Sequence, residues 1–311
     1  MSRSGPLPRR RDLDVAATRR RLGLLGVVLV VLMFALLWLT YRVRRRHPQH
    51  RLGPGTARPP IAQPLGRWRW PALALCATLV LVALVLPVAV LVYWSTKGLA
   101  SGESSVELIG ALAGNSLITG LGAALAGGLI ALIIAVLAGR FPSPVSRLVE
   151  RLGHAGYALP GIVVALALVF FATRAALPLY QTLALLIFAL TVHYLPLAIG
   201  PISASLAQVP PRVEEAARGL GRSPMQVFST VTLPLVRGGV LAGAALVFLH
   251  AIKELPATLI LAPIGFETLA TEIWSQTSLG FYEASAIPSL VLLAVAAPPL
   301  YLLSERATLS S

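Results

Sequence analysis

Long apolar runs alternate with polar stretches along this chain. Seven runs cover roughly residues 22–41, 71–94, 114–139, 155–173, 179–200, 235–255 and 284–303. Each is long enough, as a helix, to cross about 30 Å of hydrocarbon. They lack the alternation of barrel strands. In lipid the backbone must satisfy its own hydrogen bonds, so the runs are predicted to be transmembrane helices.

The polar stretches differ in kind. Residues 42–70 carry Arg42, Arg44, Arg45, Arg46, Arg51, Arg58, Arg67 and Arg69 among Pro54, Pro59, Pro60 and Pro64, the composition of a linker. Trp68 and Trp70 stand where the next helix enters the interface. The 140–153 loop has Arg140, Arg147 and Arg151, and the 201–237 loop has Arg212, Arg218, Arg222 and Arg237. The intervening segments 95–112 and 256–283 hold Glu103, Glu107, Glu267, Glu272 and Glu283, with Lys97 as their only cation. The positive-inside rule therefore places 42–70, 140–153 and 201–237 in the cytoplasm. The first run has arginines on both flanks, so charge does not orient it. The predicted order is a basic segment 1–21, an extra span 22–41, the linker 42–70, a six-helix unit 71–303 and a cytoplasmic tail 304–311.

Composition agrees with this picture. The chain is 56% hydrophobic and 12% charged, against about 25% charged in soluble domains. A net charge of +14 would suggest nucleic acid in a soluble protein. Here the arginines serve orientation, and no nucleic-acid partner is expected. Cys76, the single cysteine, lies in an apolar run and is expected to pack. The first apolar run reaches Tyr41 without a small-residue cleavage site, so the N-terminus does not read as a signal peptide.

The 201–237 loop has internal design. A first helix is predicted to start at Pro210-Pro211, with Glu214 and Glu215 near its positive end, and to stop at Gly219-Leu220-Gly221. A second opens at Ser223-Pro224-Met225-Gln226, a capping box, and Val227, Phe228 and Val231 give it an apolar face. Pro234 is expected to end or kink it. Read without further context, this could be an amphipathic connector resting on the membrane.

The same residues carry a resemblance. Glu215-Ala216-Ala217, then Gly221, then Val231, Leu233 and Pro234 follow the E-A-A, three residues, G, nine residues, aliphatic-x-L-P pattern of membrane subunits of binding-protein-dependent ABC importers. The resemblance implies an all-α integral membrane fold, a six-helix permease bundle, here with one additional N-terminal helix. It also implies that 208–234 couples to a cytoplasmic ATPase dimer. Glu215, Ala216, Ala217, Gly221, Ser223, Met225, Phe228, Leu233 and Pro234 are then the coupling residues. Glu215 would orient the loop through charged hydrogen bonds to the ATPase or a neighbouring arginine, and Met225 and Phe228 would supply contact area in the partner groove. Lys253-Glu254-Leu255-Pro256-Ala257-Thr258 and Gly265-Phe266-Glu267-Thr268-Leu269-Ala270 resemble ferric-iron permeases, as does Arg67-Trp68-Arg69-Trp70. Related polyamine, thiamine and anion permeases share the scaffold. Ferric-type permeases usually join two such halves, and this chain resembles the second half plus one helix. The implied partners are the ATPase, an extracytoplasmic solute-binding protein and a second permease half, a separate chain in preference to a copy of itself. The implied location is the bacterial inner membrane.

Other candidates are weaker. A phosphate loop needs G-K-[ST], but Lys97 and Lys253 are the only lysines and neither follows glycine, so ATP hydrolysis belongs to another chain. No catalytic residue, cofactor or resident metal is expected. His193, His250 and Glu254 are candidates for the solute path because ionisable groups in spans are often functional. The alternatives are a hydrogen-bonded interior His193, and Glu254 paired with Lys253 or capping backbone at the outer interface. Asn115-Ser116 is expected to hydrogen-bond between helices. Gly120, Gly122, Gly127 and Gly128 should allow close helix contact. A secondary transporter or a non-transporting scaffold are the rival readings, and neither uses the loop.

Overall fold

A computed structural model of the chain describes residues 66–101 and 106–309. The basic segment 1–21, the span 22–41 and the linker up to 65 lie outside the described residues. Among those described, all regular structure is helical. A short turn at Gly66–Trp68 leads into α1 (Arg69–Val80), which passes through a π segment (Leu81–Val85) into α2 (Leu86–Ser101). Then come α3 (Val106–Arg140), α4 (Pro144–Ala155), α5 (Gly161–Ala175), α6 (Leu183–Ala207), α7 (Pro211–Gly219) and α8 (Pro224–Val227). A second π segment (Phe228–Thr232) joins α8 to α9 (Leu233–Ala251), followed by α10 (Pro256–Leu261), α11 (Leu269–Ser278) and α12 (Tyr282–Leu309).

Five helical stretches are long and apolar enough to cross a membrane: Gly66–Leu99, Glu107–Arg140, Leu183–Ala207, Pro224–Ala251 and Tyr282–Tyr301. The sequence pattern differs from this in five places. The helix starts at Gly66, inside the expected linker. The 140–153 loop is mostly α4, opened by a capping box between Ser143 and Ser146. The run 155–173 is split, so α5 has only 15 residues. The tail 304–311 is helical as far as Leu309. Cys76 is exposed on α1 instead of packed.

Both π segments end two residues before a proline, Pro87 and Pro234. A proline lacks an N–H and its ring crowds the carbonyl four residues back. Widening the preceding turn accommodates the ring without ending the helix. Pro234 therefore lies inside one continuous run, Pro224–Ala251, instead of terminating α8.

The core is the mutual packing of α3, α6 and α9. Lipid offers no hydrophobic drive between helices, so contact depends on close approach of small residues. A Cβ added at Gly243 of α9 would lie 2.9 Å from both Cα and O of Ala198 on α6. Gly239 similarly meets Pro201 and Ser205, and Gly120 of α3 meets Ile252 and Phe248. Around this core, α12 packs on α2 and α11, and α5 packs on α10. The Asn115-Ser116 pair pins the 256–283 segment to α3: Asn115 Nδ2 donates to the Glu267 carbonyl (2.8 Å), and Ser116 Oγ accepts from the Leu269 N–H (2.8 Å).

Backbone atoms of Ala198 cannot give way to a side chain at Gly243. Gly243→Val should therefore destabilise the bundle by about 1–3 kcal/mol through overpacking, seen as a lowered melting temperature in detergent. Gly200→Ala, where a Cβ meets nothing within 4 Å, should leave that temperature unchanged or raise it.

Candidate functional site

The segment 208–234 folds as the local signals require. α7 starts at Pro211 and its last carbonyls are taken in the turn that follows. Leu220 N–H donates to Ala216 O (3.1 Å), Gly221 N–H to Arg218 O (2.9 Å) and Arg222 N–H to Ala217 O (3.3 Å). Gly221 has φ +85°, in the left-handed region that L side chains avoid. Ser223 then caps α8. Its Oγ accepts from Gln226 N–H (3.4 Å) while Gln226 Oε1 accepts from Ser223 N–H (2.9 Å). Arg222 Nη1 donates to Thr230 Oγ1 (2.6 Å), bracing the turn against the π segment.

A buried ion pair attaches this loop to the bundle. Arg140, the last residue of α3, donates from Nε to Glu214 Oε1 at 2.9 Å, with side-chain exposures of 13% and 7%. Its Nη2 donates to the carbonyls of Val209 (3.0 Å) and Leu206 (3.5 Å) at the end of α6. Thr232 Oγ1 donates to the same Glu214 oxygen (3.1 Å), and Arg218 Nη2 lies 3.9 Å from the other. One carboxylate thus joins α3, α6, α7 and the π segment before α9. The charges suit their places: guanidinium at two helix C-termini, carboxylate in the first turn of α7.

The resemblance gave Glu215 the orienting role, through the ATPase or a neighbouring arginine, and among the described residues no arginine pairs with it. Glu215 is exposed and has no side-chain hydrogen bond or ion pair among the described residues. The inward carboxylate is its neighbour Glu214. Successive helical residues point about 100° apart, and the partner that selects one of them is 74 residues away. The i, i+4 spacing of Glu214 and Arg218 was the available local hint. Ala216 is exposed and Ala217 half-buried; Leu233 is half-buried and Pro234 exposed. Met225 (73% exposed) and Leu220 (85%) face outward. Phe228, also expected outside, is half-buried against the core. Between the loop and α3 lies a cavity of about 390 Å³ bordered by Arg140, Phe141, Glu214, Arg218, Met225 and Phe228.

The three solute-path candidates form a second assembly. His193 and Tyr194 lie near the middle of α6, with ring centroids 4.6 Å apart, and the His250 ring is 5.5 Å from that of Tyr194. The Tyr194 hydroxyl donates to Glu254 Oε2, and Ala257 N–H donates to Glu254 Oε1 (3.4 Å). Glu254 therefore bonds with α6 and caps the backbone of α10, one of the two roles expected of it, and makes no ion pair with Lys253. Tyr157 adds a fourth ring, 6.1 Å from His193. Tyr157 and Tyr194 had no role in the sequence pattern, because nothing local links 157, 194 and 254. Among the described residues no three His, Cys, Asp or Glu side chains are gathered around a common metal position.

Comparisons with known proteins bear on the family and fold of the chain. The profile of a family described as binding-protein-dependent transport system inner membrane component matches residues 127–306. An Fe(3+)-transport system permease of Haemophilus influenzae is 32% identical over 288 residues, 92% of this chain and 57% of that protein. A probable molybdenum ABC transporter permease of Haloferax volcanii is 29% identical over 78% of this chain and 91% of its own length. A putative 2-aminoethylphosphonate transport permease of Salmonella typhimurium is 30% identical over 44% of this chain and 52% of its own. The chain thus spans little more than half of the iron and phosphonate relatives. Among solved structures, a bacterial alginate ABC transporter in complex with its alginate-bound periplasmic protein matches with TM-score 0.59 at 16% identity, covering 75% of this chain and 91% of that one. A methionine ABC transporter in inward-facing conformations matches with TM-score 0.51 at 17% identity, covering 67% and 100%. The two structural matches show a shared fold.

Removing one partner of a buried pair strands the other. Glu214→Ala should cost on the order of 3–5 kcal/mol, whereas Glu215→Ala should stay within about 0.5 kcal/mol. Thermal denaturation and limited proteolysis at Arg218 and Arg222 should separate the two variants: the loop of Glu214→Ala is cut faster, that of Glu215→Ala is not.

Proposed function

The chain belongs to the binding-protein-dependent transport system inner membrane components, and on that premise we propose that it is a permease half of an ATP-driven importer of ferric iron. Members of this family are inner-membrane transport components, not enzymes. The observation that carries the reading is the loop 208–234. It presents an exposed helix, glycine turn and capped second helix, and it is tied by Glu214 to the ends of the core helices. In this reading the outward residues, Glu215, Leu220 and Met225, meet a groove on a cytoplasmic ATPase dimer. Gly221 sets the turn, Ser223 caps α8 and Ala216 and Ala217 keep the contact face small. The π segment before Leu233 and Pro234 carries displacement into α9. An extracytoplasmic binding protein delivers the solute, and a second permease half completes the path.

Iron is favoured because the relative with 92% coverage of this chain is an Fe(3+) permease, and because 253–270 resembles ferric permeases. Relatives named for molybdenum and aminoethylphosphonate make an anion the second reading. The test is ATP-dependent uptake of radioactive iron into vesicles holding the binding protein, the ATPase and this chain, with and without a candidate first-half subunit. Iron uptake only in the complete set is the expected result. Uptake of molybdate or phosphonate with iron ignored would replace the substrate. Uptake without the other half would remove that partner.

Two further outcomes are expected. Gly221→Val forces a β-branched residue to positive φ at a cost of about 1–3 kcal/mol. It should lower solute imported per ATP hydrolysed while membrane insertion is unchanged. Single cysteines at Arg147 and Arg218 should resist an impermeant thiol reagent added from outside, because the arginine-rich end is the cytoplasmic one; outside labelling at Arg218 would refute the docking role.

A further inference from the structure

We propose that the polar stripe of α4 lines the cytoplasmic half of the translocation path, as a water-filled lane from mid-depth to the cytoplasm. This rests on the permease reading above and on neither choice of solute. Four observations support it.

First, α4 reaches into the depth of the bundle. A Cβ added at Gly153 would lie 2.8 Å from Ile199 Cδ1 of α6 and 3.4 Å from Ile134 Cδ1 of α3. Along their helices, Ile199 stands about 12 Å from the Ala207 end of α6 and Ile134 about 9 Å from the Arg140 end of α3. Three residues further on, a Cβ at Gly156 would meet Val192 O and lie 3.5 Å from His193 Cα. That level is about 21 Å from the same end of α6.

Second, two stripes divide its surface. Arg147, Glu150, Arg151 and His154 keep the i, i+3, i+4, i+7 spacing of one helix face, and so do Val145, Leu148, Val149 and Leu152. Ser146 and Gly153 are buried against the bundle between them. Arg147, Arg151 and His154 are exposed, as are Val145, Leu148 and Leu152. Bulk water gives no reason for the apolar row, and hydrocarbon makes exposed cations costly. One stripe therefore meets lipid and the other meets water.

Third, the charges on the polar stripe are uncommitted. Both ion pairs among the described residues belong to Glu214, so Arg147, Glu150 and Arg151 enter none. Unpaired charges beside a membrane core need water. Glu150, with Arg140 and Ser203, borders a cleft of about 230 Å³ between α3, α4 and α6.

Fourth, the stripe leads to the polar cluster. After Ala155 the chain passes through a 3-10 turn (Gly156–Ala158) and two irregular residues before α5. Non-helical backbone at membrane depth is tolerated only where protein buries it or where it lines a water-filled cavity. Tyr157 in this link is 50% exposed, and its ring centroid stands 6.1 Å from that of His193, which is itself only half-buried. Polar positions thus continue from Arg147 at the cytoplasmic end to Tyr157 and His193 at mid-depth.

The experiment uses the complete importer in inside-out vesicles. Cys76→Ser removes the single native thiol of this chain. Single cysteines then replace Arg147, Arg151 or His154 on one stripe and Leu148 or Leu152 on the other. The probe is a small cationic methanethiosulfonate added on the cytoplasmic side, and modification of this chain is followed by mass. The three polar positions should react roughly tenfold or more faster than the two apolar ones, because a cationic reagent is excluded from hydrocarbon. Trapping the complex with ATP and vanadate should slow the polar positions by a similar factor, as alternating access closes the cytoplasmic side. Equal rates on both stripes would put α4 in bulk water and overturn the lane. Slow reaction at the polar positions would mean that lipid headgroups or the other permease half cover them, and would overturn it as well. Fast reaction indifferent to trapping would place the stripe in water outside the path, a third refuting result. Failure of the permease reading shows separately: the Cys76→Ser complex would then import neither radioactive iron nor molybdate nor phosphonate with ATP, and the lane would fall with it.

Discussion

The geometry of the 208–234 loop depends on the buried pair between Arg140 and Glu214. Three polar problems meet where α3, α6 and α7 end or begin. The last carbonyls of α6 need donors, the guanidinium at the end of α3 needs an acceptor, and the first turn of α7 favours an anion. One guanidinium and one carboxylate answer all three, and Thr232 adds the start of the α9 run. A pair this buried contributes little net stability compared with an apolar replacement. Its value is positional: it fixes α7 against the ends of the three helices that form the core.

That core is held by close approach of small residues. α9 meets α6 at Gly239 and Gly243, where a single added carbon would meet backbone, and Gly127 and Gly128 of α3 lie against side chains of α9. The π segment before Pro234 keeps Pro224–Ala251 a continuous helical run, so the second loop helix and the span form one element. A helix terminated at the proline would have separated them.

At the other end of that run the chain breaks after Ala251, and the break carries Glu254 to the middle of α6. The loop hub and the polar cluster are therefore at opposite ends of the same helix.

The sequence by itself determined the elements whose causes are local. Apolar runs produced the long spans. The Ser223–Gln226 capping box, the turn at Gly221 and the start of α7 at Pro211 were legible because their hydrogen bonds join residues three to five apart. Other features had no local cause. Glu214 and Glu215 are neighbours of identical type, and only Arg140 decides which turns inward. The assembly of Tyr194 with Glu254 joins residues 60 apart, and neither run announced that its helix would stop at mid-depth. The split of 155–173 was hidden for the same reason: apolar composition reports burial in lipid or protein, but not where the chain leaves the helix. Local hydrogen-bond chemistry is written in adjacent residues; which polar side chains meet inside the bundle was decided only by the packing of α3, α6 and α9.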